Sequence, residues 1–147
     1  MKTHLSWLIF ALLLIATSFQ NTENGQGILQ IKYIMDDKVD EIIDLVVKAM
    51  DRFNSNASIL NRSCLIIYNL SFNYDYHPNI LFAPGCFQLL RICVTNFEED
   101  KVLRQGARGA LRRLHETLAT NNTLRSRFIA FTKARQERFT STPFIAD

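Results

Sequence analysis

The residues that could do chemistry in this chain are few and poorly spaced for catalysis. The histidines are scattered at His4, His77 and His115, and no Cys/His spacing fits a zinc site. Five carboxylates cluster at the start of one predicted helix: Asp36, Asp37, Asp40, Glu41 and Asp44. There they favour the helix dipole, and Asp44 can pair with Lys48 four residues on. Because phosphate-binding, dinucleotide-binding and nucleophile-elbow motifs are also missing, the sequence predicts a non-enzyme without catalytic residues, metal or cofactor.

The charged pattern that points to binding is a basic stripe late in the chain. Its members share one face of a predicted helix: Lys101, Arg104, Arg108 and Arg112, with Arg113 beside them. Guanidinium groups spaced in this way can hold carboxylates or phosphates through paired hydrogen bonds. Gly106 and Gly109 cost the same helix about 1 kcal/mol each relative to Ala, which indicates close approach of another element. We interpret the stripe as a partner-binding face; the alternative is a solvated basic face.

Charge is divided unevenly along the 147 residues. Residues 1–100 carry 7 Lys/Arg against 11 Asp/Glu, a net −4, whereas residues 101–147 carry 10 against 3, a net +7. A basic end on an acidic body predicts an acidic protein or peptide partner. A nucleic acid is not expected, and contact with a membrane is left open.

The elements that must position the stripe recur with a period of 44 residues. Composition favours helices, since 5 Gly and 3 Pro leave few breakers. Residues 41–71 align without a gap on residues 85–115, and apolar or small residues meet along both helices of each segment. The apolar spacing predicts two helix pairs, separated by a break at Pro78: 39–53 with 59–71, and 85–96 with 102–116.

The second helix of each pair carries the most specific pattern. Five positions repeat at identical offsets: Ile59, Ser63, Ile66, Ile67 and Leu70, then Leu103, Ala107, Ala110, Leu111 and Leu114. The segments "YNLS" and "LFAPGCFQLL" resemble the helix end and the next helix start of armadillo repeats. Over residues 34–115, "IIDLVVKAMDRF", "ILNRSCLIIYNLS" and "LLRICVTNFEED" are similar to the Zyg-eleven and Zer family.

This resemblance implies an all-α, armadillo/HEAT-like superhelix of about two repeats with partial flanking units. It also implies a non-catalytic substrate-recognition component of a cullin-2 RING ubiquitin ligase, with ligase subunits as further partners. The second helices would line a groove for an extended peptide, formed by Asn69, which would hold the peptide backbone, together with the basic stripe. Arg113 stands where the second repeat would carry the matching Asn.

On this interpretation the chain has four parts. They are an apolar N-terminal segment and linker (1–33, a signal peptide or capping helix), two armadillo-like repeats (34–72 and 73–118) and a basic helical cap (119–147). Three cysteines (Cys64, Cys86, Cys93) cannot all pair within one chain, and Cys86 and Cys93 are spaced as buried residues on one helix face. The cysteines favour a cytoplasmic or nuclear location.

The alternative is a secreted four-helix cytokine that acts through a cell-surface receptor. Lys2 precedes an uncharged run that ends in small residues, which is typical of a signal peptide at about 1–18. Four sequons begin at Asn56, Asn61, Asn69 and Asn121. The segment "VDEIIDLV" resembles the acidic first helix of short-chain cytokines, where Glu41 would meet the receptor. The bundle would use helices near 38–53, 85–96, 102–118 and 123–139. The 44-residue repeat, which a cytokine does not require, favours the superhelix.

Overall fold

The computed structural model describes the backbone of residues 25–97 and 99–140, and the side chains of residues 36–97 and 99–135. Within these residues the regular structure is entirely helical, so the predicted all-α class is confirmed. The helices are α1 (Gly25–Arg52), α2 (Ala57–Leu70), α3 (His77–Leu81), α4 (Cys86–Asn96), α5 (Lys101–Thr120) and α6 (Asn122–Thr140), and a 3₁₀ turn (Tyr74–Tyr76) precedes α3. Residues 1–24, which contain most of the predicted signal or capping segment, lie outside the described residues.

The helices agree with the predicted ones except in length. Helix α1 begins at Gly25 rather than near residue 39, because no Gly or Pro stands between Gly27 and Arg52 to interrupt it. The amphipathic spacing used for the prediction covers only the second half of this helix. The break expected near Pro78 is confirmed, since the short helix α3 carries this proline in its first turn.

Two helix starts use the same capping device. Asn56 precedes α2 with φ −95° and ψ 101°, and Asp100 precedes α5 with φ −93° and ψ 93°. The Asn56 side chain accepts a hydrogen bond from the Ile59 N–H at 3.2 Å, and the Asp100 side chain accepts one from the Leu103 N–H at 3.1 Å. Each cap satisfies a backbone donor that has no partner inside its helix, and this fixes where α2 and α5 begin.

The core lies where α2 packs side by side with α5, with α1 against α2 and α4 against α5. Leu70 and Leu114, both predicted to be buried, are 3% and 0% exposed. The two glycines serve this contact. A Cβ on Gly106 would lie 3.6 Å from the Cys64 carbonyl carbon, and one on Gly109 would lie 2.7 Å from Cδ1 of Tyr68. The close approach expected at these glycines is therefore found at Gly109, where it is helix packing, whereas the contact at Gly106 would also admit a Cβ.

All three cysteines are unpaired and buried in the core, as predicted for Cys86 and Cys93. Burial raises the pKa of the Cys86 thiol to about 12. A hydrogen bond with the Cys93 thiol, together with burial, raises the pKa of Cys64. The thiols of Cys64 and Cys86 are thus neutral near pH 7 and act as small apolar residues.

A buried histidine connects the turn after α2 to α5. The His77 Nε2 lies 2.7 Å from the Ser71 carbonyl oxygen, and its Nδ1 lies 2.6 Å from Oγ1 of Thr117. Because a carbonyl oxygen can only accept, Nε2 carries the proton and Nδ1 accepts from the Thr117 hydroxyl. Burial lowers the pKa of His77, so the ring is neutral in the folded chain.

Acidification should destabilise the fold through His77. Above pH 6.5, the ordinary pKa of histidine, the ring is neutral in both the folded and the unfolded state. Below this pH the unfolded chain binds a proton that the folded chain binds only at lower pH, so the free energy of unfolding should fall. Urea unfolding between pH 7.5 and 5 measures this slope. His77→Gln should reduce the slope, and the exposed control His115→Gln should retain it; an unchanged slope in His77→Gln would contradict the assignment.

Truncation of the two predicted core leucines should be costly. Leu70→Ala and Leu114→Ala should each lower the free energy of unfolding by about 2–5 kcal/mol, because each removes buried methyl groups and leaves a cavity. Val102→Ala is the matched surface control, since Val102 is 61% exposed, and it should stay within about 0.5 kcal/mol of wild type. Chemical denaturation provides the measurement, and a loss below about 1 kcal/mol in either leucine variant would show that the packing is wrong.

Candidate functional site

The predicted basic stripe lies on α5, on the side opposite its buried residues. Lys101, Arg108 and Arg112 are exposed, and Arg104 is half-buried. The buried face of the helix includes Leu103, Ala107, Ala110 and Leu114. With a rise of 1.5 Å per residue, Arg108 and Arg112 stand about 6 Å apart along the helix axis. Lys101, Arg108 and Arg112 thus share an outward face, whereas Arg104 is partly enclosed.

Within the described part of the chain, three cations on this face, Lys101, Arg108 and Arg112, stand apart from the ion pairs of α1. Those pairs are Lys38–Glu41 at 3.8 Å and Lys48–Asp44 at 2.8 Å. The second of these confirms the pair predicted from the sequence. No carboxylate is paired with Lys101, Arg108 or Arg112. These three cations can therefore bind carboxylates of another molecule without first breaking an ion pair.

Arg113 occupies a different environment from the rest of the stripe. Its guanidinium carbon lies 3.6 Å from the centroid of the Phe72 ring and 5.9 Å from that of Tyr68. The two rings meet edge to face with centroids 5.0 Å apart. Arg113 thus covers the aromatic residues at the end of α2 through cation–π contacts, which stabilise the packing of α2 on α5.

Asn69 is not part of the exposed face. Its side chain is 1% exposed, and neither its amide oxygen nor its amide nitrogen has a hydrogen-bond partner. Leaving such a group unsatisfied costs about 1–3 kcal/mol. The structure places it in the interior of α2, whereas the basic residues of α5 face outward.

The four sequons differ in accessibility. Asn69 has no room for a glycan in the folded chain, because its side chain is enclosed. Asn61 is half-buried, whereas Asn56 and Asn121 are exposed at helix starts. The side-chain oxygen of Asn121 accepts a hydrogen bond from the Leu124 N–H at 3.0 Å, as an N-cap does. These asparagines thus have local roles in helix capping or in the interior.

A second surface, which sequence reasoning missed, is a groove of about 920 Å³ bordered by α1, α3 and α4. Its apolar lining includes Ile43, Val47, Phe82, Ala83, Leu89 and Ile92. Three carboxylates of α1 also line it, at Asp40, Asp44 and Asp51. The sequence contains a pattern that could have indicated this groove. The three aspartates and Val47 fall on one side of a helix with 3.6 residues per turn.

Two of the α1 carboxylates also connect elements. The Tyr76 hydroxyl donates to Oδ1 of Asp36 at 2.5 Å, and the Asn79 amide nitrogen donates to Oδ1 of Asp40 at 2.8 Å. Burial and this bond to Asp36 raise the pKa of Tyr76. The 3₁₀ turn and α3 are thereby held against α1, which shapes one end of the groove.

Aromatic rings hold the last helix, α6, in place. The Phe128 ring lies 5.2 Å from the Phe87 ring and 6.3 Å from the Phe82 ring, measured between centroids. Phe131 also contacts Phe82, at 5.4 Å. Such edge-to-face contacts add to the burial of apolar area. Because these rings face the core, the opposite side of α6 remains exposed.

The chemistry that these surfaces offer is binding through charge and apolar contact. Among the described residues, no group of three or more His, Cys, Asp or Glu is arranged to hold a metal ion. In the same part of the chain, no helix combines the length and the apolar character needed to cross a membrane. Searches of protein-family models, of curated proteins and of solved structures each find no match to this chain.

Proposed function

We propose that this chain is a non-catalytic interaction module that holds an acidic protein segment on the exposed basic face of α5. The observation that carries the proposal is the row formed by Lys101, Arg108 and Arg112, which has no carboxylate partner within the described residues. A 20-residue helix packed on two sides fixes the backbone from which these exposed cations extend. Binding then has to order only their side chains and not the helix, which lowers the entropic cost of holding a partner.

A superhelix of repeated helix pairs is the architecture that we propose for this module. The helix starts after Asn56 and Asp100 use the same cap 44 residues apart, and α1 and α4 also end 44 residues apart, at Arg52 and Asn96. The equivalent helices contact each other, α1 with α4 and α2 with α5. Side-by-side contact of equivalent helices is what stacked repeats require.

The packing of α6 favours this architecture over the cytokine bundle. A bundle would place the last helix lengthwise along residues 39–53. Instead, α6 packs on α5 and reaches the turn after α3 and the start of α4 through Phe128 and Phe131. A terminal helix on the last pair corresponds to the cap that a superhelix needs at its end.

The resemblance to the Zyg-eleven and Zer family supports a narrower form of the proposal. In that form, the acidic segment belongs to a protein that the module presents to a cullin-2 RING ubiquitin ligase inside the cell. Affinity capture of the wild-type chain from cell extract, read by mass spectrometry, tests it. Recovery of cullin-2 ligase subunits supports this form. Capture of acidic proteins without ligase subunits contradicts the ligase role but still supports the broader proposal of an interaction module.

Charge reversal on α5 should remove binding. A fluorescein-labelled twelve-residue poly-glutamate peptide is a suitable probe, followed by fluorescence anisotropy. Arg108→Glu with Arg112→Glu should weaken binding at least tenfold, because one charge-assisted hydrogen bond is worth about 1.5–3 kcal/mol and 1.4 kcal/mol is tenfold. Wild-type binding should also weaken from 0.1 M to 1 M NaCl, as the Debye length falls from about 10 Å to about 3 Å.

The matched control carries the same change of charge on α6. Arg125→Glu with Lys133→Glu alters two exposed residues of that helix and should keep at least half of the wild-type affinity. Both variants should retain the wild-type circular dichroism spectrum, since exposed charges contribute little to stability. Equal loss of binding in the two variants would show that net charge, rather than the face of α5, attracts the peptide.

A further inference from the structure

We propose that the groove bordered by α1, α3 and α4 is a self-association site, which takes the exposed face of α6 from a second copy of this chain. This surface is distinct from the basic face of α5, and its predicted occupant carries the opposite charge. The inference therefore does not depend on the function proposed above.

The floor of the groove is apolar and partly open to solvent. Ile92 is 42% exposed, and Val47 and Leu89 beside it are half-buried. An exposed isoleucine between half-buried apolar residues gains free energy when another apolar side chain covers it. The volume of about 920 Å³ lies at the upper end of what binding pockets offer.

The α1 side of the groove supplies negative charge where a cation would be favourable. Asp51 lies in the last turn of α1, where the helix dipole already disfavours a carboxylate. Asp44 is paired with Lys48 at 2.8 Å, and Asp40 accepts from Asn79 at 2.8 Å, whereas Asp51 has no such partner in the described chain. A cation placed along this wall would relieve the unfavourable charge at the helix end.

The exposed side of α6 has the complementary pattern. Arg125, Ile129 and Lys133 follow each other at four-residue intervals on one face, and Ile129 is 57% exposed. The two cations stand about 12 Å apart along α6, and Asp44 and Asp51 stand about 10.5 Å apart along α1, at 1.5 Å per residue. The apolar Ile129 between two cations thus matches the apolar floor beside Asp51 and beside Asp44, whose partner Lys48 also lines the groove.

The occupant must come from a second copy. Phe128 and Phe131 hold α6 on its own chain with the opposite face inward, so Ile129 cannot reach the groove of the same chain. Arg135 at the end of α6 also lines the groove, so groove and helix are neighbours in one molecule. Two copies can therefore exchange their α6 faces about a two-fold axis, which gives a closed dimer.

Sedimentation velocity of the full chain between 5 and 200 μM in 0.1 M NaCl tests the proposal. Wild type should form dimers at the upper concentrations. Asp44→Lys with Asp51→Lys, and separately Arg125→Glu with Lys133→Glu, should each raise the dimer dissociation constant at least tenfold. All four residues are exposed, and circular dichroism verifies that each variant is folded.

Mixing the two variants provides the decisive measurement. In a mixed dimer the reversed, positive groove meets the reversed, negative α6, and the unreversed, negative groove meets the unreversed, positive α6. An equimolar mixture should therefore dimerise again. Arg108→Glu with Arg112→Glu, on α5, should dimerise as wild type does. A monomeric wild type, a mixture that stays monomeric, or loss of the dimer in the α5 variant would each overturn the proposal. The last result would identify α5 as the occupant of the groove.

Discussion

Close packing of α2 against α5 is the contact on which the other surfaces of this chain depend. Gly109 leaves space for the Tyr68 ring, whereas a Cβ at Gly106 would make an ordinary van der Waals contact with Cys64. Each glycine costs α5 about 1 kcal/mol in helix propensity. The contact buries Leu70 and Leu114, and full burial of one such side chain stabilises by about 1.5–3 kcal/mol. Burial therefore outweighs the propensity that the glycines lose.

This packing also decides where the charges lie. Because one side of α5 is committed to α2 and α4, Lys101, Arg108 and Arg112 face solvent. Asp40, Asp44 and Asp51 of α1 line a groove whose apolar floor comes from α1, α4 and the turn between α3 and α4. The chain thus presents two surfaces of opposite charge on one helical scaffold. Opposite charges on separate surfaces would allow the acidic partner and the second copy that we propose to bind at the same time.

Polar groups hold the connections between helices in place. His77 bridges Ser71 and Thr117, Tyr76 donates to Asp36, and Asn79 donates to Asp40. These bonds join residues about 40 positions apart, except for the one to Ser71, so they fix the order in which helices stack. Asn69 and Ser63 are exceptions in the interior, because the Asn69 amide and the Ser63 hydroxyl have no hydrogen-bond partner within the described residues. The chain accepts that cost next to a well-packed apolar core.

Local patterns in the sequence predicted much of the fold. Apolar spacing placed α2, α4 and α5 within two residues at their starts, because amphipathic periodicity and Asn or Asp caps act between residues at most four apart. The same spacing predicted that Leu70 and Leu114 are buried and that Lys101, Arg108 and Arg112 share one face. The early start of α1 was not predicted, although Ile28, Ile31 and Met35 continue the apolar stripe of residues 39–53 toward the N-terminus.

The sequence by itself determined the helices, their caps and which side chains share a face. Only the tertiary structure decided what each face meets. It placed Arg113 on the Phe72 ring, 41 residues away, enclosed Asn69, and turned the aspartates of α1 toward an apolar groove. A helical pattern specifies directions around one axis, but burial and charge compensation depend on which distant segment packs there. Which segment packs there depends on how side chains fit together across the whole core. The spacing of residues within one helix does not specify this fit.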